Sequence, residues 1–117
     1  MGAPKEALEH LTASEKLALG EFLPALRQAL GKDLLEVRLF GSRARGDRHE
    51  DSDLDVAIVV TEAGRTRRNE IYDLAFDIQL QSGVNLAPLV IEISRLDELR
   101  ERELLIAHDL DQEGIAL

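Results

Sequence analysis

Two aspartates, Asp53 and Asp55, open the apolar run Leu54 to Val60, and a Gly-Ser pair, Gly41 and Ser42, precedes them in the stretch FGSRARGDRHEDSDLDVAIVV. In a strand, residues two apart share a face with Cα atoms about 6.5–7 Å apart, so both carboxylates point one way while Leu54, Val56, Ile58 and Val60 take the other face. Two like charges side by side are costly unless a cation or a proton joins them. Mg²⁺ suits such a pair, since it takes one or two carboxylates and completes its octahedron with water and phosphate oxygens. A glycine at 41 lets backbone approach a ligand closely. If Ser42 starts a turn of helix through Ala44 and Arg45, its hydroxyl and the free N–H groups form a phosphate seat. A phosphate seat and a metal seat on adjacent strands can hold one nucleoside triphosphate between them, and phosphoryl chemistry needs mainly that positioning and charge neutralisation.

Other residues compete for attention. Asp51, Asp53, Asp55 and Glu62 mimic the ligand spacing of a calcium loop, but Val56 stands where the loop needs glycine, and VAIVV is a β-branched run suited to a strand. Arg43, Arg45 and Arg48 can contact phosphates or pair with Asp47, Glu50 and Asp51. Asp51 and Ser52 read as turn residues before the strand. Arg65, Arg67 and Arg68 form a basic cluster, either a solvated loop or a contact for an acidic partner or nucleic acid. His10, His49 and His108 show no metal-ligand spacing. Tyr72 lies one residue beyond a core stripe and needs no function.

The elements that position these residues follow from local signals. Thr12 to Glu15 has capping-box spacing, and Leu19, Leu23, Leu26 and Leu30 recur at helical intervals before Gly31, with Pro24 inside the pattern as a potential kink. Leu35 to Phe40 and Leu54 to Val60 read as strands. Thr66 to Ser82 reads as a helix with Ile71, Leu74, Ala75 and Ile78 on one face and a glycine stop at Gly83. Leu86 to Ile93 is a third strand, whose Pro88 implies a side without a ladder partner. Ser94 is placed to cap a broken final helical region that ends at Gly114. Two strands joined by a helix favour a parallel pair, so the expected fold class is α/β: a small mixed β-sheet with flanking helices.

The bulk numbers bound the function. The 117 residues suffice for one domain, residues 1–117, and four aromatic residues leave the core to aliphatic side chains. A net charge of −9 repels phosphate backbones and argues against non-specific nucleic-acid binding. The chain has no cysteine for a disulfide or thiolate site, and no apolar run long enough for a membrane span or a leader, so the expected location is cytoplasmic.

The stretch GSRARGDRHEDSDLD resembles the signature of the minimal nucleotidyltransferase family within the DNA polymerase β superfamily. The element order and the tail LLIAHDLDQEGIAL are also similar to small members, so the likeness runs from about Leu35 to Leu117. It implies the nucleotidyltransferase, polymerase β-like fold. It makes Gly41 and Ser42 the nucleotide-binding turn, with Arg43 and Arg45 beside it, and makes Asp53 and Asp55 the catalytic ligands of one Mg²⁺ or two. A third carboxylate normally stands on the strand after the second helix. Here Asn85 is the best match, and Glu92, the sole carboxylate of that strand, is expected near its opposite end.

The resemblance further implies transfer of a nucleotide, AMP from ATP in some members, to a partner. The usual partner is an all-helical protein called HEPN, often a toxin ribonuclease, with the minimal nucleotidyltransferase as its antitoxin. The rival is a catalytically degenerate relative that neutralises or scaffolds its helical partner by binding alone, which Asn85 favours. A weaker third reading is transfer to a small molecule. A homo-oligomer is compatible with all of these.

Overall fold

A computed structural model of the protein describes residues 11–40, 53–101 and 115–117. Helix α1 (Ala13–Leu30) starts at a capping box, where the Glu15 N–H donates to Thr12 Oγ1 at 3.1 Å and the Thr12 N–H donates to Glu15 Oε1 at 2.8 Å. These bonds satisfy two N–H groups that a first helical turn leaves without partners, which accounts for a buried glutamate at Glu15. Pro24 removes one helical hydrogen bond, yet α1 runs through it, held by the buried Ala18, Leu19, Phe22, Leu26 and Leu30. Gly31 closes the helix at a φ of 53°, its N–H donating to the Arg27 carbonyl, and a single 3₁₀ turn (Gly31–Asp33) leads into β1 (Leu34–Phe40).

Strand β2 (Leu54–Val60) lies antiparallel to β1. A short α2 (Glu62–Arg65) and the longer α3 (Arg68–Ser82) lead back to β3 (Leu86–Glu92), which lies parallel to β2 as the strand-helix-strand order requires. After α4 (Ile93–Glu101), β4 (Ile115–Ala116) pairs antiparallel with β1, giving a mixed sheet ordered β3-β2-β1-β4. The bond from the Leu54 N–H to the Asn85 carbonyl, 2.8 Å, shows that Asn85 and, by alternation, Ala87 and Leu89 turn their polar groups toward β2. Pro88 therefore faces the open edge, where its missing N–H costs no ladder bond.

The structure departs from or adds to these expectations at three points. The helix expected over Thr66 to Ser82 is present as α3, and a separate turn, α2, precedes it, capped where Thr61 Oγ1 accepts from the Gly64 N–H at 3.1 Å. That turn sits close against β2: a Cβ on Gly64 would stand 2.8 Å from Val60 Cβ, closer than carbon atoms pack. Ser94 does not cap α4 but lies within it, and its hydroxyl donates to Glu92 Oε1 at 2.6 Å. The tail contributes β4, a fourth strand whose two residues are too few to show as a pattern in the sequence.

The sheet has two unlike faces. Leu54, Val56, Ile58 and Val60 of β2, Val37 and Leu39 of β1, and Leu86 of β3 meet α1 and α3 in the main core, with Ile71, Ala75 and Ile78 supplied by α3. Each such side chain contributes about 1.5–3 kcal/mol through burial, so the helix-covered face carries most of the stability. On the opposite face, among the described residues, Ala57, Val59 and Ile91, covered by Leu96 of α4, form a second, smaller cluster. Among the described residues, Glu36 and Arg38 of β1 lie on the same face.

Candidate active site

Asp53 and Asp55 stand on this second face, at the end of β2 away from α2, as strand alternation requires. Asp53 is exposed and Asp55 half-buried. The end they occupy is fixed by the opposite one: the Thr61 N–H donates to the Asp33 carbonyl at 3.0 Å and Thr61 Oγ1 to Asp33 Oδ1 at 2.8 Å, tying β2 to the turn between α1 and β1. β1 ends at Phe40, in register with Asp55, so the chain leaves β1 level with the carboxylates. Gly41, Ser42, Arg43 and Arg45, which follow it, lie outside the described residues, as do Arg48, Asp51, Ser52 and the three histidines.

The neighbours of the pair come from register. Ala87 of β3 pairs with Asp55, and the same register continued back from Leu54 and Leu86 puts Asn85 level with Asp53, on a strand about 4.8 Å away. Alternation from Leu86, which faces the core, and Ala87, which does not, places Asn85 on the carboxylate face, where it is exposed. Glu92 is at the far end of β3, paired with Val60, where it faces Arg65 at 3.5 Å. It takes no part in the site. Arg38, not singled out by spacing, pairs with Ala57 and so shares the carboxylate face one pleat from Asp55, where it also bonds Glu36. Counting back in twos from Phe40 is the signal that would have found it.

Burial pushes the Asp55 carboxyl above its ordinary value of 3.8, and the neighbouring Asp53 charge adds to the rise. Among the described residues no ion pair involves either aspartate, and no cluster of three or more His, Asp or Glu exists. Two carboxylates turned to one face, one of them half-buried and raised, fit a divalent cation that brings its own waters and phosphate oxygens. They do not fit an all-protein cage.

A stability effect follows from the direction of the Asp55 shift. The folded state holds the Asp55 proton more tightly than the unfolded chain, so stability falls as pH rises from about 3.8 through the raised folded value. Asp55→Asn, which cannot ionise, is expected to be more stable than the native chain at pH 7 in metal-free buffer, with the advantage gone below pH 3.8. Urea denaturation with chelator at both pH values measures it.

The basic cluster noted in the sequence divides. The Arg67 guanidinium donates to the Ala29 carbonyl at the end of α1, and Arg65 meets Glu92, so both brace the fold. Arg68, without an ionic partner among the described residues, lines a hollow with Leu89, Val90, Ile91 and Arg95 beside the β3 edge, away from the aspartates.

A family model described as nucleotidyltransferase domain matches residues 19–108. Three proteins of Methanocaldococcus jannaschii, each assigned by inference as a protein adenylyltransferase, are 34%, 35% and 34% identical to this chain. The alignments take in 63%, 66% and 68% of this chain and 52%, 73% and 85% of those proteins, so the chain spans about half the length of the first. A solved structure assigned by inference as a minimal nucleotidyltransferase superposes with a TM-score of 0.55 at 28% identity, covering 91% of this chain and 97% of that one. A crystal structure of a toxin–antitoxin with AMP-PNP shares the fold, with a TM-score of 0.50 at 20% identity over 81% of this chain and 68% of that one. A sheet of this order, a carboxylate pair on the face opposite its main core and a family match running through both aspartates converge on one conclusion: the chain belongs to the nucleotidyltransferase-domain family of transferases.

Proposed function

We propose that this protein is an Mg²⁺-dependent nucleotidyltransferase that acts in the cytoplasm and transfers AMP from ATP to a hydroxyl of a partner protein, an all-helical toxin of the HEPN kind for which it is the antitoxin. The observation that carries the reading is the placement of Asp53 and Asp55 together on the sheet face opposite the main core, at the end of β2. Support for a protein acceptor comes from relatives assigned as protein adenylyltransferases, and for ATP and a toxin from a shared fold with the toxin–antitoxin bound to AMP-PNP.

In this reading Asp53 and Asp55 hold the cation, which when bound neutralises phosphate charge and favours departure of pyrophosphate. Gly41 and Ser42 seat the β- and γ-phosphates, and Arg43 and Arg45 flank them. The acceptor oxygen forms a bond to the α-phosphorus as the bond from that phosphorus to the bridging oxygen breaks, and pyrophosphate leaves. The hydroxyl proton must go to a base, and Asn85 cannot take it. That gap favours a second reading, in which the chain has lost catalysis and neutralises its partner by binding alone: neither Asn85 nor Ala87, the residues level with the aspartates, is a carboxylate.

Incorporation of labelled nucleotide from each of the four triphosphates, with Mg²⁺ and with or without the helical protein, tests the first reading. Label from ATP alone, appearing on the helical protein, is the expected result. Absence of label from every triphosphate, with retained inhibition of the toxin, selects the second.

A further inference from the structure

Helix α3 presents two apolar faces, and only one is used by the core. Ile71, Ala75 and Ile78 are buried, whereas Tyr72, Phe76 and Leu80 are 40%, 58% and 68% exposed. These three recur every four residues, so they form one stripe spanning about 80° of the helix and centred about 130° from the buried face. The placement is costly for a chain so poor in aromatic residues: two of its four stand in this stripe. Large apolar side chains grouped on a surface mark a contact site far more often than single ones do.

The surroundings of the stripe define its occupant. Glu70 and Leu74 lie on the flank of α3 that adjoins α1, where they share a groove with Ala25, Gln28 and Ala29. The stripe is on the other flank, one turn beyond Arg68. Along its solvent side run Asp73 and Asp77, both exposed and neither in an ion pair among the described residues. A second copy of this chain is a poor match: in an antiparallel two-fold pairing of α3, each acidic row would face itself, and the net charge of −9 adds to the repulsion.

We propose that the Tyr72–Phe76–Leu80 stripe is a docking surface for an amphipathic helix of a second protein, whose apolar row packs on the stripe and whose flanking Lys or Arg residues meet Asp73 and Asp77. The proposal rests on the reading that this protein acts on a protein partner, and it names where that partner is gripped, away from the aspartate site. Well-packed aromatic anchors concentrate binding energy in a few residues, and complementary charge beside them selects the partner.

Two synthetic helical peptides with the same leucine row, one flanked by Lys and one by Glu, serve as probes in fluorescence anisotropy. The native protein is expected to bind the Lys-flanked peptide at least tenfold more tightly. Phe76→Ser and Leu80→Ser should each weaken that binding tenfold or more, and because both side chains are largely exposed the variants keep the native circular dichroism. Asp73→Asn with Asp77→Asn should erase the preference between peptides. ATP affinity in the presence of Mg²⁺ should stay unchanged in every variant, so a failure of nucleotide transfer leaves these peptide results standing, and the reverse. Equal binding of the two peptides, binding insensitive to both serine variants, or a native dimer that Phe76→Ser dissociates in sedimentation would overturn the proposal.

Discussion

Asp53→Asn and Asp55→Asn are each expected to lower Mg²⁺-dependent triphosphate affinity by about 100-fold or more, because altering even an outer partner of a metal ligand costs about 10–100-fold and these substitutions alter the proposed ligands themselves. The fold is expected to survive, since Asp53 is exposed, Asp55 is only half-buried and the amide keeps the carboxylate's shape. For Asp55 the two expected consequences have opposite sign: the substitution that would disable the proposed metal site removes a half-buried charge whose proton the fold already favours. Calorimetric titration with ATP, run with Mg²⁺ and with chelator, reads the affinity. Native-like affinity in both variants would remove the aspartates from the site. If the assignment holds, Mg²⁺ with ATP at 100 times the dissociation constant stabilises the native chain by about 2.7 kcal/mol and leaves the variants unmoved.

Asn85→Asp is expected to raise transfer by about 100-fold, the lower end of what a positioned proton acceptor contributes. Register is the reason: Asn85 stands level with Asp53 on the neighbouring strand, so a carboxylate there joins the existing pair on one face. An amide brings no negative charge to a cation and accepts no proton at neutral pH. The same change should lower stability in metal-free buffer, because a third like charge joins the other two. Ala87→Asp, level with Asp55, is the companion variant, and a gain at 87 but not at 85 would relocate the third position. Rapid labelling by the native chain, unaffected by either substitution, would mean that the reaction has no need of a third carboxylate.

Much of the site's frame is legible in the sequence. Strand alternation is a property of the backbone, so the shared face of Asp53 and Asp55, and the opposite face of Leu54, Val56, Ile58 and Val60, follow from residue order alone. The capping box at Thr12 and the left-handed stop at Gly83, with a φ of 75°, are likewise local, since they concern hydrogen bonds closed within a few residues. The Gly-Ser to Asp-x-Asp pattern indicates the family in the same way. The Thr61 cap that starts α2 is equally local, but a four-residue helix is too short to show a period in the sequence.

Other features depend on which segments meet. Spacing along β1 puts Arg38 on the face of Phe40, but that this is the face of the aspartates follows from the antiparallel register in which Phe40 pairs with Asp55 and Arg38 with Ala57. The separation of Glu92 from the site, and the neighbourhood of Asn85 and Ala87, are set by the parallel register of β3 on β2. The stripe on α3 is the clearest case. Tyr72, Phe76 and Leu80 are apolar and helically spaced, so periodicity alone groups them on one side of the helix; their exposure is decided by where the sheet and α1 lie around that helix. Periodicity is local and tells which side chains point together, whereas burial and pairing are long-range and depend on what the rest of the chain packs against each face.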